Sequence, residues 1–251
     1  MNIAECVMQL KEDFDAVYEA GKANGTDGGN SSYNIFWDNF QENGERQDYN
    51  LAFTGVGWNE NTFCPKYNIY PVDGSYMFQK CRYKADLTSV LNTLGVSLDL
   101  SRCTGYNSMF YQSAFTRIPK IVDRFTSNAI SIFNSCSNLI TIDEIEMQQD
   151  FTASGHYRDA FTGCTALENI KFTGTGKLAA TISFQSCPLS KASIVNIMDK
   201  LSNTASGVTL TLKLTAVQKA FETASGANDG NTSEEWLNLT ATKSNWTITL
   251  I

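Results

Sequence analysis

The residues of this chain whose types could do chemistry are seven cysteines, one histidine and a close group of carboxylates. The cysteines stand at 6, 64, 81, 103, 136, 164 and 187, and none forms the close pair that marks a zinc ribbon or a redox dithiol. Their odd number and wide spacing argue against a disulfide framework, so reduced thiols are expected. One histidine, His156, cannot supply a His-rich metal site or a set of His-paired cysteine nucleophiles. Asp143, Glu144 and Glu146 are close enough in sequence for paired carboxylate chemistry, but that needs a cleft, and they read as a solvated loop. Thr173-Gly174-Thr175-Gly176-Lys177 contains a Gly-Lys pair without the spacing of a phosphate loop, and reads as a turn. No catalytic, cofactor-binding or metal site is therefore expected, and the chain reads as non-enzymatic.

The elements that would hold these residues follow a recurring frame. Aligned on phenylalanine, the chain repeats Met77-Phe78-Gln79-Lys80-Cys81, Met109-Phe110-Tyr111-Gln112-Ser113, Ile132-Phe133-Asn134-Ser135-Cys136, Ala160-Phe161-Thr162-Gly163-Cys164 and Ser183-Phe184-Gln185-Ser186-Cys187. The phenylalanines lie 32, 23, 28 and 23 residues apart. Two copies continue alike, through Leu139 and Ile142 in one and through Leu167, Ile170 and Phe172 in the other. A unit of this length cannot bury both of its faces alone, so neighbours must stack, placing Phe, Cys, Leu and Ile in internal ladders. Leu167 to Phe172 suits a short strand of a parallel sheet. In this setting the repeated cysteines are polarizable packing residues rather than nucleophiles.

Before the repeat, Ile3, Val7, Leu10, Phe14 and Val17 follow 4-3-4-3 spacing, a heptad seam. Two readings stand: an amphipathic helix lying on its own domain, or a short coiled coil that makes a homo-oligomer. The Gly- and Ser-rich run from Gly25 to Ser32 reads as a linker. The aromatics that follow, among them Trp37, Phe40 and Trp58, either cap the open first unit of the stack or offer a stacking surface. After the repeat, Ser190 is placed to cap a helix reaching Leu201. Val208–Leu212 alternates as a strand, Thr215 to Ala224 returns to helix, Ser233 starts another, and Trp246–Leu250 ends as a strand.

Hydrophobic residues make up 42% of the 251 positions, enough for a core, and the formal net charge is −7. That balance offers no dense basic patch, so neither a nucleic acid nor an anionic membrane surface is an expected partner. The N-terminus lacks a basic leader with an apolar run. Synthesis in the cytoplasm without a signal peptide is expected.

Ala160-Phe161-Thr162-Gly163-Cys164-Thr165-Ala166-Leu167-Glu168-Asn169-Ile170 resembles a leucine-rich repeat of the BspA type. The C-terminal segments Leu210-Thr211-Leu212, Ala220-Phe221-Glu222 and Thr242 to Ile248, with Phe36 to Gly44 near the start, resemble proteins encoded in phage and prophage tail regions of Gram-positive bacteria. These resemblances imply a mainly β chain with some α: an irregular solenoid with an N-terminal helix and a C-terminal α/β cap. The corresponding divisions are residues 1–24 for the helix, 25–75 for the linker and aromatic cap, 76–189 for the repeats and 190–251 for the C-terminal cap. They also imply the genomic company of phage tail genes, from which a virion-associated place is expected, with either binding to a host-surface protein or glycan or a purely structural role beside another phage protein.

Overall fold

A computed structural model describes residues 69–251 apart from positions 70, 72, 83, 96, 104, 124–128, 153–156, 158 and 222–232. The expected N-terminal seam (Ile3, Val7, Leu10, Phe14, Val17), nearly all of the aromatic cap, and His156 lie outside the described residues.

The chain contains helix α1 (Leu87–Leu94), strands β1 (Arg117–Ile118), β2 (Ile121–Asp123), β3 (Thr141–Met147), β4 (Asn169–Thr173) and β5 (Ile182–Phe184), helix α2 (Lys191–Lys200), strand β6 (Val208–Leu212), helices α3 (Leu214–Phe221) and α4 (Glu234–Ala241), and strand β7 (Trp246–Leu250). Helices and strands contribute comparably, which corrects the expectation of a mainly β chain. Among the described residues, every strand pairing is parallel. β3 pairs with β1 and β2 and also with β4, while β5, β6 and β7 form a second sheet in that order. Pro119 separates β1 from β2, because proline has no N–H to give a ladder.

Among the described residues, parallel pairing runs from Ile69 with Leu98 to β7. It does not stop at residue 190: Phe184 pairs with Leu212, and Leu212 with Leu250. Residues 190–251 are thus joined to the preceding segment by main-chain ladders and by one shared apolar core, in which Phe184 and Cys187 lie with Ile194, Met198 and Leu210.

The phenylalanine frame sits at the centre of that core. Phe78, Phe110, Phe133, Phe161 and Phe184 stack in succession, with centroid separations of 5.2, 5.8, 5.7 and 4.5 Å. In the first four copies the residues two before and two after phenylalanine have positive φ: Tyr76 and Lys80, Ser108 and Gln112, Ser131 and Ser135, Asp159 and Gly163. This alternation turns every second N–H along the stack. Tyr76, Phe78 and Lys80 donate to the carbonyls of Asn107, Met109 and Tyr111, and Ser108, Phe110 and Gln112 donate to those of Ile130, Ile132 and Asn134. The intervening residues close tight local turns, as when Cys81 N donates to Phe78 O. At the fifth copy the backbone becomes the extended strand β5.

The loops between passes also approach closely. Gly174 has φ +74, and a Cβ built there would lie 2.2 Å from Met147 O, so only glycine fits. Ser190 caps α2 by accepting from Ser193 N, and Ser233 caps α4 by accepting from Trp236 N. The helix expected over Thr215 to Ala224 runs Leu214–Phe221, and the positions beyond it lie outside the described residues. Lys243 and Trp246 fasten the last pass by donating to the carbonyls of Leu201 and Ser202.

Candidate functional site

The described cysteines lie in the packed interior. Cys81, Cys136, Cys164 and Cys187, with their partners Leu139, Leu167, Ile142 and Ile170, are buried. Cys136 Sγ donates to Phe110 O at 2.8 Å, Cys164 Sγ to Phe133 O at 3.1 Å and Cys187 Sγ to Phe161 O at 3.6 Å. Each of these carbonyls also accepts the N–H three residues on in its own turn, so both lone pairs are used. Burial pushes the Cys136 thiol up to about 11 and the Cys187 thiol up to about 12, and raises Cys164 further. These groups remain neutral thiols at neutral pH, poor nucleophiles and poor metal ligands.

The exposed face of the first sheet is different. Asp143, Glu144 and Glu146 belong to the seven-residue strand β3, correcting their reading as loop. They pair with residues of adjoining passes, because a parallel register sets successive passes side by side. Arg117 Nε lies 2.6 Å from Asp143 Oδ1, with Asp86 3.8 Å from the same guanidinium. Lys120 pairs with Glu144 at 3.0 Å and with Glu146 still closer. Thr173 Oγ1 on β4 donates to Glu144 Oε1 at 2.6 Å. That hydrogen bond first, and Lys120 second, hold the Glu144 carboxyl below its ordinary range. Glu146 is lowered chiefly by Lys120. Both carboxyls are therefore ionised acceptors at neutral pH, with no proton to give as a general acid.

Beside this ionic strip lies an open groove of about 340 Å³, lined by Thr141, Asp143, Asn169, Lys171, Ser193 and Asn196 among others. Its floor is the edge of β4, and its wall is helix α2, which stands where another strand would add. Phe172 N donates to Asn196 Oδ1 at 2.7 Å, and Asn196 Nδ2 donates to Phe172 O at 3.1 Å. Ile170 N donates to Ser193 Oγ, which in turn donates to Glu168 O, both at 3.0 Å. Two side chains of a helix thus replace the backbone groups of an absent strand. The signal for this was present in the sequence as polar residues at i and i+3 beside the apolar stripe Ile194, Ile197, Met198, but its pairing with β4 was not readable there.

The structure therefore separates the sequence-selected residues into two sets. The repeat residues from Phe78 to Cys187 line the core, and Asp143, Glu144 and Glu146 line the outward sheet face. Arg117, Lys120, Lys171 and Asn196 complete that face. Among the described residues, no group of three or more His, Cys, Asp or Glu side chains could hold a metal ion, and no helix is long and apolar enough to cross a membrane. Compared with known proteins, the chain matches no family model, no curated protein and no solved structure.

Proposed function

We propose that this chain is a non-enzymatic binding module, an irregular leucine-rich-repeat solenoid that presents the outward face of β1, β3 and β4 to a host-surface protein or glycan. The observation that carries the reading is the contrast between a sealed interior of neutral thiols and an outward strip of charged and amide side chains flanking the open groove at Lys171 and Asn196. The parallel register supports the solenoid part, since the phenylalanine frame recurs pass after pass along it. The resemblance to BspA-type repeats and to phage tail-region proteins supports a surface-attachment role carried on a virion.

The test is attachment of labelled protein to a panel of Gram-positive cells. Saturable attachment, weakened at least tenfold by Lys171→Glu without a change in thermal unfolding, is the expected result. Stable incorporation into particles without any cell attachment would instead make the chain a structural assembly protein with no ligand of its own.

A further inference from the structure

The second sheet carries an array of a different chemistry. Ile182, Phe184, Leu210 and Leu212 face the core. Side chains alternate along a strand, so Ser183 on β5, Thr209 and Thr211 on β6, and Thr247 and Thr249 on β7 point to the opposite side, with Thr181 just before β5. The register aligns them: Ser183 with Thr211, Thr211 with Thr249, and Thr209 with Thr247. Thr181 adjoins Thr209, whose N–H its hydroxyl accepts at 3.1 Å. The result is two rows of three hydroxyls, about 4.8 Å apart between strands and roughly 6.6 Å apart along them.

Three features make this more than a set of strand-forming residues. Parallel sheets normally have both faces covered by apolar packing, whereas these six positions are all hydroxylic and uncharged, with Lys213 and Ile251 following at the end of the rows. Thr181 and Thr247 are exposed and the other four are half-buried. The hydroxyls of Thr209, Thr211, Thr247 and Thr249 have no hydrogen-bond partner among the described residues, so each has a donor and acceptor capacity to give a ligand.

We infer that the outward face of β5, β6 and β7 is a docking platform for a neutral polysaccharide. A charged ligand would find no counter-charge within the two rows, the nearest on the same face being Lys213 at their end, whereas a sugar polymer presents rows of hydroxyls between patches of C–H, matching a mosaic of threonine hydroxyls and methyls. The β-branched side chains are already restricted at χ1, so ordering them on binding costs little. A single hydroxyl pair gains little net free energy in water, which makes one sugar a weak ligand and a polymer, engaging several positions together, a stronger one. This platform extends the binding-module reading and is separate from the ionic face.

The experiment is retention of the full chain on insoluble chitin, cellulose and β-1,3-glucan. Retention on at least one is expected. It should fall at least tenfold in the combined variant Thr209→Val, Thr211→Val, Thr249→Val, which keeps shape and strand preference, and should persist when the same positions are changed to Ser. Should the valine variant unfold at a lower temperature, the single change Thr247→Val, at the exposed position, is read instead and should weaken retention several-fold. No retention on any of the three polymers, or retention indifferent to loss of the hydroxyls, overturns the inference. Cell attachment that depends on Lys171 with no polysaccharide retention would sink this platform alone; retention without cell attachment would leave it standing and sink the ionic-face reading.

Discussion

At the scale of single residues, phenylalanine and cysteine of the frame act as one unit. The ring stacks on its counterpart in the next pass, and the thiol three residues on returns a hydrogen bond to the carbonyl of the previous phenylalanine. Phe161 touches Phe133 and Phe184 in this way and is 1% exposed. Phe161→Ala should cost about 3–5 kcal/mol in denaturant unfolding through the cavity it leaves, and a loss under about 1 kcal/mol would contradict its place in the core. On the surface, the Glu144 carboxyl is depressed below 4.5 in the folded chain. A depressed carboxyl stabilises the folded state above its unfolded pKa, and that contribution is lost as pH falls through the lower folded value. An NMR titration should therefore place the Glu144 midpoint below 4.5, and Thr173→Val should move it upward. An unmoved midpoint would show that the threonine hydroxyl is not the principal cause.

At the scale of elements, what was legible in the sequence was whatever follows from local period and capping. Ser190 and Ser233 mark the starts of α2 and α4, and the alternation in Val208–Leu212 and Trp246–Leu250 marks β6 and β7. What was not legible depends on partners distant in sequence. The frame around each of the first four phenylalanines carries no local period that marks its backbone, because its alternating positive φ is set by the pass beside it, and Tyr, Lys, Ser, Gln and Asp are held there against a cost of about 1 kcal/mol or more each. The acidic run at Asp143 looked like loop because its charges are balanced by Arg117 and Lys120, which lie 26 and 24 residues earlier in the chain. The strand-like use of Asn196 and Ser193 is of the same kind. Asn196→Ala leaves Phe172 N and O without their side-chain partner, and should cost about 1–3 kcal/mol. A loss within a few tenths would mean that water replaces the amide and that the β4 edge does not need α2.

For the molecule as a whole, the β5–β6 ladder crosses residue 190 and one apolar core joins the two sheets, so the described passes should open together. Native-state hydrogen exchange should give the slowest amides of β4 and β6 the same opening free energy. A markedly lower value confined to β6 and β7 would restore a separate C-terminal domain. On the proposed reading, two outward faces divide the binding chemistry, one ionic beside Lys171 and one hydroxylic across β5 to β7. Because salt screens exposed charges and leaves hydroxyl contacts largely untouched, one measurement addresses the central claim directly: the binding isotherm of the purified chain on isolated Gram-positive cell walls, at low and at high salt. The account predicts saturable binding whose affinity falls several-fold as salt rises from about 0.05 to about 0.5 M, where the Debye length contracts to a few ångströms. Absence of saturable binding at either salt, or an affinity indifferent to salt, would contradict the assignment of the β1, β3 and β4 face as the surface by which this protein holds its partner.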